Sequence, residues 1–337
     1  MMSWRNLRRL LCLTLSTVLL CCACGEQELS SDGSGYNQMD PTHTPYIGMV
    51  LKSTEDPYFA LIKAGAEYEA DKLGVQVAIV SPEKESNVKE QAQLVAAMTK
   101  LKTDVIIVAP SNEQRITQEL ENAKKSGKLV LTVDTSSDFA DCDGYIGTDQ
   151  YLAAYKQGAY AAKLVKEQNN ANAVILRGAD GDKTHMLREY GIEDGLKDGH
   201  VAVSAVEYCG CSEDKAEETM EALLKEDDNI QVVCTTSDSM AVGAQRAIAE
   251  LGRDDIHIVS FDGMIDVSEL VRVGEIDAVF AQDPYEMGKQ CIDYAVKKCN
   301  GEEVEDSVYT DVTLITSGNA EAHISELQRE LERWGGK

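Results

Sequence analysis

The feature that most constrains this chain is a repeated alternation of short, continuously apolar runs with helix-length segments. The runs YIGMVL (46 to 51), VQVAIV (75 to 80), DVIIVA (104 to 109) and KLVLTVD (128 to 134) are separated by Tyr58 to Lys72, Val88 to Lys100 and Gln114 to Lys125. Each intervening segment spaces its apolar residues by three and four, the period of an amphipathic helix. Strands apolar on both faces and joined by helices form a parallel sheet covered on each side. After a Gly/Asp-rich stretch and a helix from Tyr151 to Lys166, the pattern restarts. Strands are expected at NAVILR (172 to 177), HVAVSAVEY (200 to 208), IQVVCTT (230 to 236) and IHIVSFD (256 to 262), with helices at Met186 to Lys197, Asp214 to Lys225 and Ser239 to Leu251. A run at 276 to 282, a helix from Tyr285 to Lys298, a strand near Tyr309 to Ile315 and a helix from Asn319 to Trp334 complete the chain. The expected fold is α/β, with two Rossmann-like lobes whose parallel sheets are flanked by helices. Ligands of such sheets sit beyond the carboxyl ends of the strands.

The N-terminus departs from this pattern. Arg5, Arg8 and Arg9 precede an apolar run, Leu10 to Leu20, that ends at Cys21-Cys22-Ala23-Cys24. A run this short does not span a bilayer comfortably, since a membrane helix needs about 20 apolar residues. It reads as an export signal over residues 1 to 23. The cysteine segment resembles a bacterial lipobox, with Cys24 as the lipidated residue, although Cys21 stands where that motif usually has Leu. Residues 24 to 45 are polar, carry Gly, Ser and Pro, and lack apolar periodicity, so they are expected to form a flexible linker. The implied location is the outer face of a cell membrane, with the lipid as anchor.

The whole chain carries a formal charge of −26 from 32 basic and 58 acidic residues; without residues 1 to 23 it has 29 basic residues against the same 58, or −29. Such a charge argues against nucleic acid as a partner and suits an exported soluble protein. Beyond the export segment lie Cys142, Cys209, Cys211, Cys234, Cys291 and Cys299. None forms a C-x-x-C pair, and Cys209 and Cys211 stand too close in sequence for ordinary disulfide geometry. With no His cluster nearby in sequence, they also make a poor zinc site. Unpaired thiols are the expectation.

Catalytic and nucleotide-binding signatures are missing: the chain has no G-x-G-x-x-G after a strand, no G-x-x-x-x-G-K-[ST], no G-x-S-x-G and no H-E-x-x-H. His185 near a strand end reads mainly as a loop or helix-start residue. Polar residues at strand ends carry more information. Asp56-Pro57-Tyr58-Phe59 follows the first strand, and Asp134 and Asp262 close two others. Aromatic faces beside carboxylates suit a sugar, whose C–H faces pack on rings while its hydroxyls bond to ionised groups. Each Asp alone is equally well read as a helix cap.

Six segments together resemble ribose-type periplasmic sugar-binding proteins, the type I solute-binding fold. They are TEDPYFALIKAGAEYEADKLG, VLTVD, LREYGIEDGL, TTSDSMAVGAQRAI, IVSFDG and DAVFAQDPYEMGKQCID, in that order and spacing within residues 46 to 315. The resemblance implies two lobes closing over a monosaccharide or related polyol about a three-stranded hinge near Gly147 to Gln150, Gln282 to Pro284 and Tyr309 to Val312. It implies an N-terminal lobe of 46 to 147 and 283 to 310, and a C-terminal lobe of 148 to 282 and 311 to 337. By motif position, ligand contacts fall on Lys52, Asp56, Tyr58, Phe59, Asp134 and Thr135 in the first lobe. In the second they fall on Arg188, Ser237, Asp262 and Gln282. It further implies a monomer that delivers its ligand to an ABC-type permease or, as the alternative, to a membrane receptor or chemotaxis system, without cofactor, metal or catalysis.

Four departures bear on the ligand. Lys52 replaces a small hydroxyl residue, Asp56 and Ser237 replace Asn, and Thr135 replaces the Arg that follows the first-lobe Asp. Lys52 is expected either to pair with Asp134 and Asp56 or to receive an anionic group on the ligand. Two other classes fit poorly. A lactose-repressor-type regulator needs a basic helix-turn-helix where the export signal and acidic linker stand. A glycosidase would need Asp134 and Asp262 as its catalytic pair, yet they fall on opposite lobes.

Overall fold

The computed structural model describes residues 43 to 334 except 169 and 179. The export segment, Cys24 and most of the linker lie outside the described residues. The first sheet comprises β1 (Tyr46–Val50), β2 (Gln76–Val80), β3 (Val105–Val108), β4 (Leu129–Val133), β5 (Gly144–Gly147) and β11 (Ser307–Tyr309). Its spatial order is β11-β5-β4-β3-β1-β2, parallel throughout. The second sheet has β6 (Asn172–Arg177), β7 (Ala202–Tyr208), β8 (Ile230–Thr235), β9 (His257–Asp262), β10 (Ala278–Ala281) and β12 (Thr313–Ile315). Its order, β12-β10-β9-β8-β6-β7, repeats the first, except that β12 runs antiparallel to β10. Central strands such as β3 and β4 are buried at every residue, whereas the edge strands β2 and β7 are half-exposed. Chain order reverses beside β1 and β6, which creates the crevice where α/β sheets bind ligands.

Helices α1 (Pro57–Leu73), α2 (Val88–Thr99), α3 (Glu113–Lys125) and α9 (Pro284–Cys299) clothe the first sheet. Helices α4 (Gln150–Leu164), α5 (Lys183–Asp198), α6 (Glu213–Glu226), α7 (Asp238–Glu250) and α8 (Ile265–Val273) clothe the second. The last helix, α10 (Ala320–Trp334), packs against both α1 and α8. The starts are set by local chemistry. Asp56 accepts from Tyr58 N with Pro57 at the first helical position, while Asp182 accepts from Thr184 N and His185 N. Helices α1 and α9 meet through a reciprocal glycine pair. A Cβ on Gly65 would lie 1.9 Å from Tyr285 O, and one on Gly288 would lie 2.0 Å from Ile62 O. No side chain fits between these backbones.

The chain passes between the sheets three times: from β5 into α4, from β10 into α9, and from β11 into β12. Sequence periodicity missed two elements. Strand β5 is four residues long with glycine at both ends, and α8 is a nine-residue helix between two turns. It also merged β11 and β12, three-residue strands that belong to different sheets. The six thiols are free, with Cys209, Cys234, Cys291 and Cys299 buried. Among the described residues, no helix is long and apolar enough to cross a membrane.

Candidate ligand-binding cleft

A cavity of about 420 Å³ opens at the carboxyl ends of both sheets. Nine of the ten expected contact residues line it. The tenth, Thr135, is buried behind the wall and donates from Oγ1 to Asp134 Oδ2 at 2.9 Å.

The first-lobe wall is built where β1, β4 and α1 converge. Tyr58 and Phe59 occupy the first turn of α1, both largely buried, with ring centroids 5.3 Å apart and planes at 80°. Tyr58 donates its phenol proton to Asp134 Oδ1 at 2.9 Å. Burial and the neighbouring Asp134 push that phenol well above its ordinary pKa. Asp134 follows β4 with φ 62, a left-handed conformation in which its side chain turns into the cleft and its amide donates to Ile146 O. Lys52, just past β1, is only 6 % exposed. Its Nζ lies 3.1 Å from Glu85 Oε1 and 3.5 Å from Asp134 Oδ2, and 5.9 Å from the centre of the Phe59 ring. Burial opposes its charge, but Glu85, Asp134 and Asp182 outweigh it and hold the ammonium protonated. The expected partnership with Asp134 is present; that with Asp56 is not, because Asp56 caps α1 and Glu85 stands in its place.

The second-lobe wall centres on Arg188, buried in α5. Its Nε donates to Gln150 Oε1, and its Nη1 to Thr236 O and Asp262 Oδ1, each at 2.8 Å. The guanidinium lies 4.0 Å over the Phe261 ring. Asp262 ends β9 with φ 112, a strained conformation for a non-glycine residue. Its Oδ1 also accepts from Gln282 Nε2 at 2.8 Å, and Gln282 in turn accepts from Thr148 at 2.7 Å. This chain of bonds runs from the cleft into two of the three crossings. Burial, reinforced by Asp134 and Asp56 against the pull of Arg188, pushes the Asp262 carboxyl up to about 6. Among the described residues, no partner is found for Arg188 Nη2 or Asp262 Oδ2. Ser237, at the start of α7, makes no capping bond and keeps its hydroxyl near Ser239, 3.4 Å away. This wall therefore brings a guanidinium and a carboxylate together at the cleft.

Several lining residues were not foreseen. His185 Nδ1 lies 2.8 Å from Thr236 Oγ1, and its Nε2 lies 3.3 Å from Cys211 Sγ. Burial pulls the imidazole down to about 4, so it is neutral near pH 7. Cys211, at φ 58, thus has one histidine neighbour, which lies 26 residues away in sequence. Glu85, Asp182, Glu213, Asp238 and Asp266 add carboxylates, so eight line the cleft, with Asp56, Asp134 and Asp262, against Lys52 and Arg188. The signal available in sequence was position: Asp182 caps a helix that follows a strand, as Asp56 does.

A second cavity of about 420 Å³ lies beside the crossings, lined by Thr132, Tyr145, Gln150 and Tyr309 among others, but it holds neither Arg188 nor either strand-end Asp. Among the described residues, Glu217, Glu221 and Glu250 are the group whose carboxylates approach closely enough to hold an ion. They stand outside the cleft lining, and Glu217 and Glu221 already pair with Arg246 and Lys225.

This architecture is that of a two-lobed solute binder, and residues 47 to 303 match the family model described as "Periplasmic binding protein domain". The chain belongs to that family, one of binding proteins and not enzymes. Within it the chain is similar to ribose-type members. The ribose import binding protein of Salmonella typhimurium is 27% identical over 269 residues, 80% of this chain and 90% of the relative. That of Bacillus subtilis is 27% identical over 307 residues, 90% and 97% of the two chains. In fold, the chain is similar to a glucose-galactose binding protein from Geobacillus stearothermophilus, with a TM-score of 0.76 at 23% identity, covering 82% of this chain and 99% of that one. A periplasmic solute-binding protein from Actinobacillus succinogenes with bound D-allose gives 0.75 at 22% identity, covering 83% and 100%.

Proposed function

We propose that this chain is the substrate-binding lipoprotein of an ABC-type importer and captures a monosaccharide or related polyol between its lobes. The observation that carries the reading is the open pair Arg188 Nη2 and Asp262 Oδ2 on one wall, facing Asp134 beside the rings of Tyr58 and Phe59 on the other. A sugar hydroxyl both donates and accepts, and its C–H faces pack on rings. Lys52, Asp56, Tyr58, Phe59, Asp134, Arg188, Ser237, Asp262 and Gln282 make up the ligand shell, while Thr135 acts through Asp134. The lobes comprise 46 to 147 with 283 to 310, and 148 to 282 with 311 to 337. Closure about the three crossings brings the walls together, because a ligand touching both favours the closed state. The protein works as a monomer, held to the outer face of the membrane by a lipid on Cys24.

A thermal-shift screen of pentoses, hexoses and polyols tests the reading, since a ligand of the folded state stabilises by RT ln(1 + [L]/Kd). At least one neutral sugar is expected to raise Tm and to be recovered unchanged. Product formation, or silence across the panel, would overturn it. Replacing Cys24 by Ala is expected to move the protein from the membrane fraction into the medium.

A further inference from the structure

Lys52 would be an attractive receptor for an anionic ligand if it were free, and the segment that carries Glu85 is built to prevent that. The loop after β2 is stitched to the residues following Lys52. Ser53 Oγ donates to Glu83 O at 2.8 Å, Thr54 N to Pro82 O at 3.0 Å and Glu55 N to Glu83 O at 3.4 Å. These bonds fix the start of the loop, and two residues further on Glu85 reaches Nζ at 3.1 Å, closer than Asp134. Asp134 is already committed, accepting from Tyr58 and Thr135. A buried ammonium is costly without a partner, and its pairing is strengthened where water is excluded.

Resting on the sugar-binding reading above, we propose that Glu85 sets the charge selectivity of the cleft. By neutralising Lys52 it makes the site accept uncharged monosaccharides and polyols and turn away those that bear a carboxylate or phosphate. The rest of the cleft supports this direction, because beyond the Lys52–Glu85 pair seven carboxyl groups stand against Arg188 and His185 is uncharged near neutral pH. Glu85 itself is about half exposed and caps no element.

Calorimetry on the purified full chain tests the assignment with D-ribose, D-allose, D-glucose and D-galactose beside D-glucuronate, D-galacturonate and ribose 5-phosphate. The native protein is expected to bind at least one neutral sugar and none of the anions. Glu85→Gln is expected to raise the ratio of anionic-probe to neutral-sugar affinity about tenfold or more above that of the native protein. That gain should shrink as salt is raised, and Glu85→Asp should restore rejection. Native binding of a uronate as tightly as its neutral counterpart, or continued rejection by Glu85→Gln, would overturn the role of Glu85 and leave sugar binding standing. If neither protein binds any probe, both readings fall.

Discussion

The two lobes share one strand order and place an Asp at a strand end in a left-handed backbone, yet they hold their cation differently. Arg188 in the second lobe is gripped by Gln150, Thr236, Asp262 and the Phe261 ring, all from that lobe's framework. Lys52 in the first lobe has two carboxylate partners at longer range, one of them on a loop. A planar guanidinium fixed at several nitrogens presents its remaining donor in one direction, whereas an ammonium on a flexible stem follows its partners. The second lobe therefore fixes its cation at more points than the first lobe does.

The largest test of this contrast is Arg188→Ala. It removes the guanidinium donor from Gln150 and from Asp262, which keeps only Gln282, and should weaken ligand binding by about 2–5 kcal/mol, the cost of breaking a buried charged hydrogen bond. Unchanged affinity by calorimetry would remove Arg188 from the site. Gly65→Ala probes how the first lobe is closed by a helix returning from the second. Its Cβ would press on Tyr285 O, so unfolding by denaturant should show a loss of about 1–3 kcal/mol from overpacking.

Asp262 gives a test that depends on pH. Because its folded pKa is raised to about 6, the ionised form is the less stable one in the fold. Ligand binding that needs this carboxylate should weaken about tenfold between pH 7.5 and pH 5, as protonation removes the acceptor. The ligand-free protein should change the other way: this group's contribution to stability improves as pH falls through about 6 towards the ordinary carboxylate value. Affinity that is flat over this range would mean that Asp262 is not a ligand acceptor. The smallest effect belongs to Thr135→Val, which removes one bond to Asp134 and should cost about 1 kcal/mol of binding. A loss comparable with that of Arg188→Ala would show the first-lobe wall to be as finely braced as the second.

Long elements were legible in the sequence because burial on both faces writes continuous apolar runs, and helices with one buried face write a period near 3.6. Strands β3, β4, β8 and β9 and helices α1, α3, α6 and α9 fall within a few residues of expectation. Strand β5 escaped because glycines flank its two side chains, and α8 because nine residues barely repeat a helical period. In the cleft, Asp134 and Asp262 were visible as the polar residues that end apolar strands. Glu85 was not, since it lies 33 residues from Lys52 in a polar loop with no periodicity, and a hydrogen-bonded stitch between two loops brings the pair together. The same applies to His185 and Cys211, which meet across a turn following β7.

By itself, then, the sequence determined the alternation of elements, the duplication into two lobes and the residues at the strand ends. These follow from local periodicity and capping chemistry, which act over a turn of helix or a pair of strand residues. Only the tertiary structure decided that Lys52 answers to Glu85 and not Asp56, that Thr135 stands behind the wall, and that β11 and β12 part to opposite sheets. Those outcomes depend on which loops the packed helices bring within hydrogen-bonding reach, and a charge finds its partner through space, whatever the separation along the chain.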